Sequence, residues 1–228
     1  MVATIPNDIF QFSLLPALHS GLTSGGPACA HLTNHGSHGL GAFASTENMM
    51  LCDSVAYHIS EDGAVTRAKQ DARLPFVMVT VFEPEMAVVV REAGLVLSGL
   101  RDVFAAGVAK GARNSFVPFR LRGRFSAVHV VSGFPRPGEE AAAAAWRTIK
   151  DVKGTVFGFA GPSWAKGYSV TGPQCCFLSE EDGQGGRKGG FVVGFEAEGE
   201  VRVEWALCGR FHLGLPQGEE WETLELSG

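Results

Sequence analysis

The side chains best placed to do chemistry lie between Gly172 and Gly190. Gln174, Cys175 and Cys176 sit in a run that reads as a β-strand, and Gly185-Gly186-Arg187 follows after a polar loop. Alternate residues of a strand point the same way. Gln174 and Cys176 therefore share one face, and Cys175 takes the other. An amide at 174 can hydrogen-bond a substrate carbonyl or satisfy a neighbouring backbone group. A thiol at 176 becomes a nucleophile only if a cation such as Arg187 lowers its pKa. Otherwise it packs as a small hydrophobe. The guanidinium of Arg187 can bind a carboxylate, or stabilise an enolate or polarised carbonyl through paired hydrogen bonds. It fits equally well on a solvated loop tip beside Lys188. His31, His35 and His38 form a second candidate group, read as a turn after a short helix rather than as a metal cluster. His58 and His129 fall on expected strands and read as structural. Arg120 can face either side of its strand.

The elements that must position these residues are mostly strands. Apolar spacing predicts a short amphipathic helix over 8–22, with Pro16 awkwardly inside it, and another near 28–33. Strands are expected near 40–44, 48–53, 55–60 and 64–67, with Glu61-Asp62-Gly63 as a hairpin turn. Phe76–Phe82 reads as a buried strand and residues 90–109 as a helix. Ser115–Arg122 and Phe125–Val131 read as two strands joined at Arg122-Gly123-Arg124. An alanine-rich helix is expected over Glu139–Ile149, with acids at its N-terminal end. Strands follow at 153–159, 168–179, 189–196 and 200–209. The fold class is α+β, with an N-terminal α+β half over 1–136 and a β-rich C-terminal half over 137–228.

Composition sets limits. Of the 228 residues 45% are hydrophobic and 19% charged, which describes a globular chain. A net charge of −5 argues against a nucleic-acid partner. No apolar run reaches the roughly 18 residues that span a bilayer. Pro6, Asn7 and Asp8 interrupt any signal-peptide pattern. The five cysteines read as reduced, in a cytoplasmic protein. Thirty glycines imply many tight turns and suit a β-rich fold.

Several phrases, in order, resemble the acetolactate decarboxylase family, particularly its fungal members. Asn7-Asp8-Ile9-Phe10-Gln11-Phe12-Ser13-Leu14-Leu15 resembles its opening segment. His35-Gly36-Ser37-His38-Gly39-Leu40-Gly41-Ala42-Phe43 resembles its HG-x-x-GLGTF turn. Leu74-Pro75-Phe76 with Thr80-Val81-Phe82 resembles its PFA-x-VT-x-F strand, and Phe119 to Phe125 its IRIDG-x-F hairpin. Gly154-Thr155-Val156-Phe157-Gly158-Phe159 and Pro162 to Gly172 follow its later segments. The resemblance implies mixed sheets or barrel-like halves with a few helices, an active site between the halves, and commonly a homodimer. It also implies a zinc ion on three histidines, two from an H-x-H strand and one from the next strand.

At those three ligand positions this chain carries Gln174, Cys176 and Arg187. A guanidinium has no free lone pair, and one thiolate does not make a zinc site. The family's acidic residue falls near Asn48, with Glu47 the nearest carboxylate. Its arginine falls on Val131, its threonine on Ala42, and its C-terminal acidic tail finds no counterpart. The expected pocket, with Ala42, Glu47, Asn48, Arg120 and Val131 contacting substrate, is more apolar than the family's. The expectation is a metal-independent enzyme with no cofactor, acting on a larger, less polar organic molecule than the family's by cyclisation, isomerisation or a related rearrangement in fungal specialised metabolism. A non-catalytic binding protein and a decarboxylase with an unusual metal site are the alternatives.

Overall fold

The structure is a computed structural model that describes residues 5–45, 47–91, 94–107, 112–134 and 146–226. In chain order the strands are β1 Ile9–Phe12, β2 His38–Ala42, β3 Asn48–Cys52, β4 Val55–Ile59, β5 Val65–Arg67, β6 Phe76–Thr80, β7 Met86–Val90, β8 Val117–Val131, β9 Arg147–Gly161, β10 Gly172–Ser179, β11 Gly189–Trp205 and β12 Phe211–Gly214. The helices are α1 Leu15–His19, α2 Cys29–Leu32, α3 Leu100–Ala106 and α4 Glu219–Glu222. The molecule is thus mostly β with a few short helices. No helix among the described residues is long and apolar enough to cross a membrane.

Two sheets carry the fold. The first has seven strands in the order β12-β1-β6-β2-β3-β4-β5. The second runs β10-β9-β8-β11-β7, and β10 also pairs with β11, so four of its strands close almost into a barrel. Strand alternation sorts the apolar side chains into three cores. Phe125, Val156, Phe177 and Phe195 fill the barrel. Leu40, Met50, Phe76, Phe157, Cys176 and Phe191 fill the space between barrel and first sheet. Cys29, Leu32, Met49 and Val77 cover the outer face of the first sheet. β2, β3 and β6 are buried along their whole length because they have a core on each face.

Several elements differ from the sequence expectation, each for a physical reason. The segment at 8–22 opens as strand β1, with Ile9 and Gln11 buried and Phe10 and Phe12 half-buried. Ser13 takes a left-handed backbone (φ 69) and ends the strand. Only α1 is helical, and Pro16 lies in its first turn, where a missing N–H costs nothing. Over 90–109 the helical spacing is real only from Leu97 onward: β7 holds the start, Gly94 (φ 106) breaks the chain, and a short turn leads into α3. Arg122-Gly123-Arg124 is no turn, because β8 runs straight through it. Gly123 is there for closeness: a Cβ on it would stand 2.7 Å from the Val201 side chain. The two expected strands at 189–209 are one strand, β11, with register shifts where its partner β8 skips residues. β10 begins at Gly172 rather than at 168, after a short turn at Ser163–Ala165. Of the expected alanine-rich helix, residues 139–145 lie outside the described residues, and Arg147–Ile149 belong to β9. The expected strands at 48–53, 55–60 and 64–67 are present as β3, β4 and β5.

Candidate functional site

The face of β10 that carries Gln174 and Cys176 looks into the gap between the sheets. β10 lies beside β9, with Gln174 opposite Phe159 and Cys176 opposite Phe157, and Cys176 also faces Phe191 of β11. Cys175 and Phe177, on the other face, point into the barrel. From the first sheet, Asn48 enters the same gap on the side of β3 that carries Met50 and Cys52. Its Nδ2 donates to the Val131 carbonyl at 3.2 Å. Val131 lies opposite Phe191, which links Asn48 through β8 and β11 to Cys176. Ala42 pairs with Asn48 and with Phe76. The Phe134 ring packs on Phe76 and Phe191, with centroids 5.3 and 4.9 Å away. Ala42, Asn48, Val131 and Cys176 are therefore linked through neighbouring strands around Phe134 and Phe191, and Gln174 lies two residues further along β10, beside Phe159.

Two polar atoms there are unpaired. The Asn48 Oδ1 and the Gln174 Oε1 are both buried and lack a hydrogen-bond partner among the described residues. A buried acceptor left without a donor costs about 1–3 kcal/mol. Asn48 cannot simply flip to cure this, because its amide nitrogen is engaged by Val131.

The other expected site residues sit elsewhere. Cys176 is fully buried, and burial pushes its thiol up to about 12, so it is a neutral thiol at physiological pH. Arg187 turns to the polar loop: Nη2 donates to Glu181 Oε1 at 3.0 Å and Nη1 to the Ser179 carbonyl at 3.3 Å. Its guanidinium also lies 5.7 Å from the centre of the Tyr57 ring. Glu47 is on the opposite side of the first sheet from Asn48. Its Oε2 accepts from Ser45 at 2.7 Å and lies 2.8 Å from His58 Nε2, contacts that hold the carboxyl below its usual range, Ser45 first.

Arg120 belongs to a second cluster, at the other end of the gap. Its Nε and Nη2 donate to Glu204 Oε2 at 2.9 and 2.8 Å, and Arg202 Nε donates to Glu204 Oε1 at 2.8 Å. Burial opposes charge on Glu204, but the bonds from Arg202 and Arg120 outweigh it and hold the carboxyl low. Arg120 Nη1 lies 3.3 Å from His38 Nε2 and 3.7 Å from Asp53 Oδ1. Asp53 also reaches His38 Nε2 at 3.2 Å and Arg122 at 3.5 Å. Burial lowers the His38 pKa to about 4, with Asp53 opposing and the two arginines adding to the shift. The Asp53-Ser54 turn that delivers this carboxylate joins β3 to β4 with both residues left-handed (φ 49 and 65) and neither a glycine. Reasoning from sequence missed this cluster. The available signal was a lone acid, Glu204, between Val203 and Trp205 on an apolar strand, with Arg120 between Phe119 and Leu121.

Neither cluster fits a zinc ion of the expected kind. The three positions that the resemblance matches to zinc ligands offer an amide oxygen, a single thiol and a guanidinium that has no lone pair to give and is engaged with Glu181. His38, Cys52 and Asp53 do place one donor atom each within 4.8 Å of one another. There, however, the Arg120 cation is already in contact with both the imidazole and the carboxylate.

The crystal structure of alpha-acetolactate decarboxylase from Bacillus subtilis strain 168 superposes with a TM-score of 0.83 at 23% identity, covering 97% of this chain and 94% of that one. A Staphylococcus aureus protein of unknown function, described as similar to alpha-acetolactate decarboxylase, gives 0.82 at 21%, covering 97% and 95%. In sequence, the Methylococcus capsulatus alpha-acetolactate decarboxylase is 27% identical over 217 residues, 90% of this chain and 82% of the relative. The Methanosarcina mazei enzyme is 29% identical over 227 residues, 96% and 75%. The family profile described as Alpha-acetolactate decarboxylase matches residues 9–228, and the chain belongs to that family.

Proposed function

We propose that this chain is a metal-independent enzyme on the acetolactate decarboxylase fold, which binds an apolar organic molecule bearing hydroxyl or enol protons between the sheets. The two unpartnered amide oxygens, Asn48 Oδ1 and Gln174 Oε1, carry this reading. A ligand that donates a hydrogen bond to each would remove two desolvation penalties, and a ligand that cannot would leave them in place. Val131, Cys176 and Phe191, with Phe134 packed on them, form apolar core between the sheets and Ala42 lies beside Asn48, so a ligand entering there displaces packed side chains, and shape and a few hydrogen bonds do the selecting. Cyclisation, isomerisation or a related rearrangement suits such a site, since holding a flexible substrate in one reactive geometry can provide most of the acceleration. The resemblance to fungal members makes specialised metabolism the setting we favour. Loss of the zinc ligands at 174, 176 and 187 is part of the proposal. So is the role of Gln174, which here accepts a hydrogen bond rather than donating one, while Arg187 takes no part in the reaction.

The test uses the purified protein with hydroxylated polyene or polyketide intermediates, with and without chelator. Turnover insensitive to chelation, and lowered about tenfold or more by Gln174→Leu or Asn48→Leu, is expected. Binding without rate enhancement would leave a ligand-binding protein in its place. Stoichiometric zinc together with acetolactate decarboxylation would end the reading.

A further inference from the structure

A cleft of about 390 Å³ opens where the β4–β5 hairpin turn meets the start of β9 and the approach to β11. Its lining holds Arg147, Lys150, Arg187 and Lys188, with Asp62 as the one carboxylate. The balance survives a wider count, because Glu181, paired with Arg187, still leaves four cations against two acids. Asp62 is shared between its own turn, where its Oδ1 accepts from Ser60 Oγ at 2.5 Å and from the Ala64 amide at 3.1 Å, and the nearby Arg147 charge, which helps hold its carboxyl low.

Arg147 is the member that indicates a ligand. Its guanidinium rests on Gly63, whose backbone is left-handed (φ +80), and a Cβ there would stand 2.1 Å from Nη1. The turn needs glycine both for its dihedral and to admit this side chain. The Nη1 so enclosed is buried and has no hydrogen-bond partner among the described residues. Burying part of a guanidinium without an acceptor is unfavourable, and mutual repulsion among four cations adds to the cost. Other groups in the cleft are already positioned: Arg187 is oriented by Glu181, Ser179 and Tyr57, and Lys188 by the backbone bridge between Ala64 and Lys188.

We propose that this cleft is a binding site for a small oxyanion with two or more negative charges, with Arg147 and Arg187 gripping its oxygens and the two lysines supplying charge. Phosphoryl and polycarboxylate ligands share this chemistry, and arginine forks suit both. Neither unpartnered amide lines this cleft, and its test does not involve turnover.

Calorimetric titration at low salt with pyrophosphate and, separately, with tricarballylate tests it. Saturable one-to-one binding of at least one of them, with Kd below about 1 mM, is expected. Tighter binding of pyrophosphate identifies a phosphoryl ligand, and tighter binding of tricarballylate a carboxylate one. Arg147→Ala should weaken binding at least tenfold. The exposed-residue double variant Lys150→Ala/Lys188→Ala should do the same and provides the answer if Arg147→Ala fails to fold. Arg67→Ala, in a separate basic cleft, should change nothing. No saturable binding of either anion, or loss of binding on Arg67→Ala instead, overturns the proposal.

Discussion

The gap between the sheets holds polar side chains at both ends, and the two ends are built on opposite terms. At one, Arg120, Glu204, Arg202, His38 and Asp53 partner one another, and the buried pair Arg120–Glu204 shares two hydrogen bonds. Away from that network, Asn48 and Gln174 each present a buried oxygen to which no described residue donates, while beside it the Thr80 hydroxyl, opposite His38, is also unpartnered. A completed network spends its polarity internally and fastens strands together: Glu204 on β11 is 84 residues from Arg120 on β8. An incomplete one keeps its polarity for something not part of the chain. The difference assigns stability to the first end and recognition to the second, and it can be attacked at either.

The largest effect should come from breaking the completed end. Glu204→Ala strips the buried Arg120 guanidinium of both its carboxylate hydrogen bonds and leaves it only the more distant, exposed Asp53, which should cost about 3–5 kcal/mol in urea unfolding. A loss below about 1 kcal/mol would mean the pair is no clamp. Next comes acidity. The folded chain holds His38 at about 4 against an ordinary 6.5, so the unfolded chain takes up this proton first as pH falls. Stability should therefore drop between about pH 6.5 and 4, by about 3 kcal/mol for this group, and His38→Asn should flatten that slope. A slope unchanged in the variant would assign it to other groups. The smallest effect belongs to the incomplete end. Gln174→Leu removes an acceptor that has no donor, so the ligand-free protein should be unchanged or more stable by about 1–3 kcal/mol. A clear destabilisation would show that Gln174 is already satisfied, and the two ends would no longer differ.

Much of the fold was readable because it is written in short-range signals. The β3–β4–β5 strands follow from alternation and turn residues, and the family phrases implied the acetolactate decarboxylase fold. The misreadings share a cause. Ile9, Phe10, Phe12 and Leu14 fit a helical or a strand period equally well over so short a run, and only pairing with β6 and β12 decides for strand. Gly123 looked like a turn because glycine often marks one, whereas what it answers to is Val201 on a strand far along the chain. The site shows the same divide. Gln174 and Cys176 were placed on one face correctly by period, and Asn48 rather than Glu47 proves to face the gap. The His38–Arg120–Glu204 cluster was invisible because Arg120 and Glu204 meet only through the long-range pairing of β8 with β11, and His38 reaches Arg120 only across the gap from the other sheet. The Asp53-Ser54 turn carries none of the glycine that usually signals two left-handed residues.

Strand β10 separates two kinds of freedom. Its odd residues, Cys175 and Phe177, are locked inside the barrel, and its even ones, Gln174 and Cys176, form the wall of the gap. To rotate the wall, the chain would have to pull Phe177 out of a packed interior, so the wall's geometry is inherited from the barrel. Its chemistry is not inherited. Side chains at 174 and 176 can be exchanged without disturbing a single barrel contact on the reverse face. A lineage can then rewrite what this protein recognises many times over, while the scaffold that aims those side chains goes on folding as before.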